Sequence, residues 1–266
     1  MASDIVEVSR LTLTALATQP SGEPDVVSDG LLAAGLSSQL AAEKRRMFQL
    51  AAERLIDEGV GREGAVAAYW VPGRIEVSGK HTDYAGGRSL LCASSRGFAV
   101  VATQRPDAIC RIFTQLGLSR ERMETSLTVS PDLEPQQGHW SAYPAVVIRR
   151  LARNFSLEGG ADIAVECDLP ESSGMSSSSA VVCYMWMVLA DRNRIRESEK
   201  FRESLQTPLK LFTYLGFIEN GQDCGVELPG DKGVGTFGGS EDHTAIMSSE
   251  ASTLKMFSYC PTTYEG

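Results

Sequence analysis

The chain has 266 residues, 42% of them apolar, enough to bury a full core in one large domain or two. Its 25 basic and 34 acidic residues leave a net charge of −9, which argues against a nucleic-acid partner, since binders of that class carry a basic footprint. Residues 1–10 lack the apolar core of a signal peptide, and the longest apolar run, 180–190, is too short to span a bilayer, so no membrane partner is expected.

Residues 1–36 show little periodicity and include Gln19-Pro20-Ser21-Gly22-Glu23-Pro24, which reads as a flexible extension. A helix is predicted over 38–58, where Met47, Leu50, Ala51 and Leu55 recur at helical spacing before Gly59. Strands are predicted over 65–70, 74–77, 97–103, 109–113, 124–130 and 161–167. The 141–154 segment reads as a helix with Val146, Val147 and Leu151 inward and Arg149, Arg150 and Arg153 on a solvated face. A second, apolar helix covers 180–190, a third covers 198–219 with a break near Pro208, and a last strand covers 253–259. Strands run before helices, so the class is α+β. Cys92, Cys110, Cys167, Cys183, Cys224 and Cys260 lack CxxC spacing. They fit reduced core thiols of a cytoplasmic protein better than a metal site.

Three segments carry chemistry. In 72–87, Arg74, Lys80, His81 and Asp83 lie within ten residues, punctuated by Gly73, Gly79, Gly86 and Gly87. Such a turn can present donors and acceptors to a small polar ligand, or be a polar hairpin. It is not a P-loop, because His81 stands where Ser or Thr would hold magnesium. In 170–180, Pro-Glu-Ser-Ser-Gly-Met-Ser-Ser-Ser-Ser-Ala joins a strand to a helix. It fits either an anion site of backbone N–H groups at a helix start or an N-capped buried helix. In 238–249, Asp242 follows Gly238 and Gly239 and stands either as a buried carboxylate or as an ordinary first-turn helix residue.

Together and in this order, over 65–250, the segments resemble the sugar-1-kinase branch of the galactokinase, homoserine kinase, mevalonate kinase and phosphomevalonate kinase (GHMP) superfamily. The galactokinase signature Pro-Gly-Arg-Val-Asn-Leu-Ile-Gly-Glu-His-Thr-Asp-Tyr-Asn-Gly-Gly is largely present at 72–87. Gly-Leu-Ser-Ser-Ser-Ala is matched from Gly174 with one extra serine, and Gly-Ile-Met-Asp-Gln loosely by 239–243. The resemblance implies a ribosomal-protein-S5-domain-2-like domain, strand-rich with helices on one side. It also implies ATP- and magnesium-dependent phosphorylation of a sugar C1 hydroxyl. It places Asp242 as the aspartate that orients that hydroxyl and Arg74 as the stabiliser of transition-state charge. Lys80, His81, Asp83 and Gly239 fall on the sugar. Gly174, Met175, Ser176, Ser177 and Ser178 fall on the ATP phosphates, with Ser178 and Glu219 as magnesium ligands. These residue types suit phosphoryl transfer, which depends on positioning and charge neutralisation.

The chain also departs from the family. Glu76 stands where the family has Asn, and Lys80 where it has a glutamate that accepts from the C6 hydroxyl. An ammonium donates and favours an anion, so a C6 carboxylate and a galacturonokinase-like substrate are expected. The other placement of Lys80 is a pair with Glu76. The run 242–247 also looks like the Asp-Gln-Ser-Ala-Ile-Leu of plant-type galacturonokinases. No third, Gly-rich family signature is present, which reads as a C-terminally truncated kinase whose ferredoxin-like domain is largely missing. The expected organisation is a flexible extension over 1–36, the kinase N-terminal domain over 37–251, and the start of the C-terminal region over 252–266. Two other classes are a galactokinase-like sugar sensor without activity and a metal hydrolase using His81, Asp83, Glu241, Asp242 and His243.

Overall fold

One seven-stranded sheet organises the computed structural model, which describes residues 11–18, 25–116, 121–170 and 173–266. Its strands are β1 (Val66–Ser78), β2 (Arg88–Gln104), β3 (Ile109–Leu116), β4 (Glu121–Thr128), β5 (Ala161–Cys167), β6 (Lys255–Ser258) and β7 (Thr263–Tyr264). Their order is β4-β3-β5-β2-β6-β7, and β1 pairs with β2. β2 is the spine. β1 lies along one edge of it, while β5 (at 98–104) and β6 (at 88–91) share the other. β3 and β5 are parallel; the other strand pairs among the described residues are antiparallel.

The helices are α1 (Leu13–Ala17), α2 (Val26–Ala33), α3 (Ser38–Asp57), α4 (Ala142–Asn154), α5 (Ser177–Arg192), α6 (Glu199–Ser204), α7 (Pro208–Asn220) and α8 (Glu241–Ser248). Side chains of β2 alternate between two cores, as strand geometry requires. Phe98, Val100 and Ala102 pack with the buried faces of α4, α5 and α7. Ala99 and Val101 pack under α1, α2 and α3. The α+β class expected from the strand-then-helix order holds. The helices, however, cover both faces of the sheet rather than one.

Three other expectations change. Within 1–36, the described residues are not a loose extension: Leu13, Leu16, Val27 and Leu31 are buried, and Arg45 of α3 ties Asp25 and the Leu16 carbonyl to the core. The segments 1–10 and 19–24 lie outside the described residues. Residues 252–266 pack onto the same sheet: β6 joins the edge of β2 and buries Phe257 and Tyr259 against Leu91 and Ala245. Arg149 and Arg150 are not solvated: both are buried, and a loop over 221–237 covers them. Arg149 donates to Asp231 at 2.8 Å, and Arg150 donates to the carbonyls of Gln222 and Leu228 at 2.6 and 3.2 Å. Arg153 does stay near solvent, donating to the Pro131 carbonyl.

All six cysteines are free, and Cys110 and Cys183 are buried. Burial pushes the Cys110 thiol up to about 11 and Cys183 well above the ordinary thiol range, so both behave as core groups. Among the described residues, no helix is long and apolar enough to cross a membrane.

Candidate active site

The site forms where β1, the N-terminus of α5 and the N-terminus of α8 meet. A bulge in β1, between Pro72 and Arg74, turns the strand toward the loop before α5. Gly73 permits this approach, because a Cβ there would lie 2.7 Å from Leu169 Cδ2 and 3.1 Å from the Met175 carbonyl. The Arg74 N–H then donates to the Met175 carbonyl at 3.3 Å. The Arg74 side chain is buried and splits its donors. Nε meets Asp242 Oδ1 at 2.6 Å, NH1 meets the Gly174 carbonyl at 2.6 Å, and NH2 lies 3.4 Å from His81 Nε2.

Gly174 and Ser176 both take left-handed backbone conformations (φ 68 and 53), and Ser176 caps α5 without a side-chain hydrogen bond to its amides. The first-turn amides of this 16-residue helix therefore face the cleft without a side-chain cap. The left-handed Ser176 absorbs the extra serine in the turn. As a result it is Ser179, not Ser178, that reaches the acidic centre. Ser179 Oγ donates to Glu219 Oε2 at 2.9 Å and to Asp242 Oδ2 at 3.4 Å. Ser178 instead hydrogen-bonds the Tyr143 hydroxyl.

Asp242 sits in the first turn of α8. Burial alone would raise its carboxyl, but the Arg74 cation and the Ser176 hydroxyl outweigh burial and hold it below the usual carboxylate range. Asp242 is therefore an ionised acceptor at neutral pH. Glu219, near the end of α7, lies 3.0 Å from His243 Nε2.

Asp83 is buried, and its Oδ2 accepts from the Glu241 N–H at 3.0 Å, capping α8. Gly239 lets this happen, because a Cβ there would collide with the Asp83 carboxylate. A cleft of about 400 Å³ opens beside these groups, lined by His81, Asp83, Tyr143, Ser179, Glu219 and Asp242 among others. Tyr84 and Phe237 meet edge-on at its rim, with ring centroids 5.3 Å apart.

The structure thus brings together Arg74, His81, Asp83, Gly174, Glu219, Gly239 and Asp242. Lys80 stands apart: it is exposed, takes a left-handed conformation (φ 49), and is absent from the cleft wall. Nor does it pair with Glu76, whose Oε2 lies 3.8 Å from His81 Nε2 instead. The five residues of the hydrolase reading do not converge, since Asp83 caps α8 and His243 faces Glu219. Sequence reasoning missed Ser179, Tyr143 and Phe237 as cleft residues. The four-serine run was the only signal for Ser179, and nothing in the sequence pointed to the other two.

Two family descriptions match the chain: "Galactokinase galactose-binding signature" over residues 58–104 and "GHMP kinases N terminal domain" over 142–207. The galactokinase of Exiguobacterium sibiricum is 30% identical over 139 residues, 52% of this chain and 35% of that protein. The galactokinase of Streptococcus mutans is 35% identical over 126 residues, 46% of this chain and 30% of that protein. The chain matches about a third of the length of these curated relatives. Among solved structures, Lactococcus lactis galactokinase complexed with galactose superposes with a TM-score of 0.60 at 24% identity, over 81% of this chain and 50% of that one. The Lin0012 protein from Listeria innocua superposes at 0.52 and 16% identity, over 73% and 48%. The fold is that of the GHMP kinases, and over the matched segments the chain is similar to galactokinases.

Proposed function

We propose that the protein serves the ATP-dependent phosphorylation of the C1 hydroxyl of a neutral hexose of the galactose class. The observation that carries this reading is the Arg74–Asp242 pair, 2.6 Å apart, set between the α5 N-terminus and the cleft. Asp242 Oδ2 accepts from Ser179 Oγ at a long 3.4 Å, and on the cleft wall it can accept from a sugar hydroxyl and orient its attack. Arg74 would meet the charge on the transferring phosphoryl oxygens. The first-turn amides of α5, from Ser177, with Gly174, Met175 and Ser176 before them, would hold the nucleotide phosphates. His81 and Asp83, with the Gly239 backbone, would hold sugar hydroxyls.

The donor set also fits magnesium, which takes oxygen ligands and usually few from protein. Ser179 Oγ and Glu219 Oε2, 2.9 Å apart on the cleft wall, would supply them, in preference to Ser178, which also lines the cleft but bonds Tyr143. Magnesium, when bound, neutralises phosphate charge.

A neutral sugar is favoured over a uronic acid on two grounds. Lys80 is outside the cleft wall, and the wall carries three carboxylates, those of Asp83, Glu219 and Asp242, which would repel a fourth. The test is sugar-1-phosphate formation followed by ³¹P NMR, with galactose and galacturonate offered side by side with ATP and magnesium. Galactose 1-phosphate as the main product supports the reading. Galacturonate 1-phosphate as the main product removes the neutral-sugar assignment, and binding of galactose with no turnover by any form of the protein favours a sensor.

A further inference from the structure

Beside Arg74 lies a second constellation, two of whose three members the proposed phosphoryl transfer does not use. Glu76 of β1, His81 of the following turn and Glu241 at the start of α8 each offer a ligand atom, and these atoms lie within 4.8 Å of one another. Glu241 is only 1% exposed, and neither of its carboxylate oxygens has a hydrogen-bond partner. Glu76 Oε1 is likewise buried and unpartnered. Buried carboxylate oxygens without partners are costly, and the mutual repulsion of two such carboxylates adds to that cost. The nearest cation does not solve the problem. Arg74 spends Nε on Asp242 and NH1 on the Gly174 carbonyl, and only NH2 turns this way, toward His81.

We propose that Glu76, His81 and Glu241 form a binding site for one divalent transition-metal ion, separate from the Ser179–Glu219 wall. Two carboxylates balance the charge of a dication. The imidazole sets the metal class, since magnesium and calcium take oxygen ligands whereas zinc, cobalt and manganese accept nitrogen with oxygen. Three protein ligands leave room for water, and His81, 61% exposed, gives the ion its route in. A shared proton could also relieve two facing carboxyls, and burial with the nearby Glu76 charge does push Glu241 up to about 8. A proton, however, would leave the convergence of the imidazole unexplained. Neither carboxylate belongs to the galactokinase pattern, which has Asn and Met at these two positions. The site shares His81 with the proposed sugar contacts, whereas Glu76 and Glu241 take no part in them, so metal binding is tested apart from sugar turnover.

The probe is Co²⁺, titrated into the metal-stripped chain and followed by visible absorption and calorimetry. Cobalt separates this site from the free cysteines, because thiolate ligation gives an intense near-ultraviolet charge-transfer band that oxygen and nitrogen ligation does not. The wild-type chain is expected to bind one ion without that band. Glu241→Gln and His81→Gln should each weaken binding at least tenfold. Glu241→Gln, which removes the buried charge at constant volume, should also melt higher than wild type without metal and lose the metal-induced rise in melting temperature. Loss of metal binding by a correctly melting Glu241→Gln variant rules out misfolding as the cause. No binding by wild type, unchanged affinity in both variants, or a thiolate band at one equivalent would each overturn the proposal. In the first case the carboxyls share a proton instead.

Discussion

Asp231→Ala tests the clamp that holds the 221–237 loop, and with it Thr236 and Phe237 of the cleft rim, against α4. The Arg149 and Asp231 side chains are 3% and 2% exposed, with Nε and Oδ2 2.8 Å apart. Asp231 Oδ1 also accepts from the Gly233 N–H at 2.8 Å. Alanine would therefore remove two acceptors and strand a guanidinium that has only the Leu133 carbonyl at 3.4 Å and a distant Glu134 carboxylate at 3.9 Å. Breaking a buried pair from one side typically costs about 3–5 kcal/mol, because the partner charge is left uncompensated. At roughly 2–4 °C per kcal/mol for a chain of this size, the melting temperature should fall by roughly 6–20 °C. Urea unfolding monitored by circular dichroism gives the free energy directly. The double variant Arg149→Met with Asp231→Leu should recover most of the loss, since apolar replacement of both members is often near neutral. An Asp231→Ala cost below about 1 kcal/mol would mean that water reaches Arg149 and that the pair is not buried in solution.

Gly73→Ala places a Cβ against Leu169 and the Met175 carbonyl, so it should cost about 1–3 kcal/mol of stability and weaken ATP binding by displacing the loop before α5. Unchanged melting and unchanged nucleotide affinity would show that the bulge has room to spare. Ser179→Ala should weaken magnesium-nucleotide binding in calorimetry more than Ser178→Ala does, because only Ser179 reaches Glu219. The reverse order would restore Ser178 as the ligand. Lys80→Glu should leave the preference between galactose and galacturonate unchanged within about twofold, given an exposed residue outside the cleft wall. A reversal of preference would bring Lys80 to the substrate.

Much of the fold was legible where burial is one-sided or complete. β5 matches the predicted 161–167, an apolar run between a Gly pair and Asp168, and α3 matches 38–58 to within one residue. β2 was read only from 97, because its first half pairs with β6 at a partly exposed edge and so mixes Ser and Arg with Leu. The arginines of α4 were misread because helical periodicity cannot see a loop 70–80 residues later folding over that face. Helix formation at 13–17 and 26–33 was hidden because short helices gain most of their stability from docking, here onto α3. At the site, Arg74, Asp83, Gly239 and Asp242 were legible as residue types at motif spacing. Which serine faces the acidic centre was not, because it depends on one left-handed residue in the turn. Whether Lys80 turns inward was equally a backbone question, and the consecutive positive φ values of Lys80 and His81 decide it.

The central claim is that Asp242, paired with Arg74, orients a sugar hydroxyl for phosphoryl transfer. The most direct measurement compares wild type and Asp242→Asn for galactose 1-phosphate formation and for galactose affinity by calorimetry. Asparagine keeps the shape and loses the charge, so turnover should fall by at least about a hundredfold while sugar affinity changes little. Undiminished turnover in Asp242→Asn would remove Asp242 from the chemistry and the account with it.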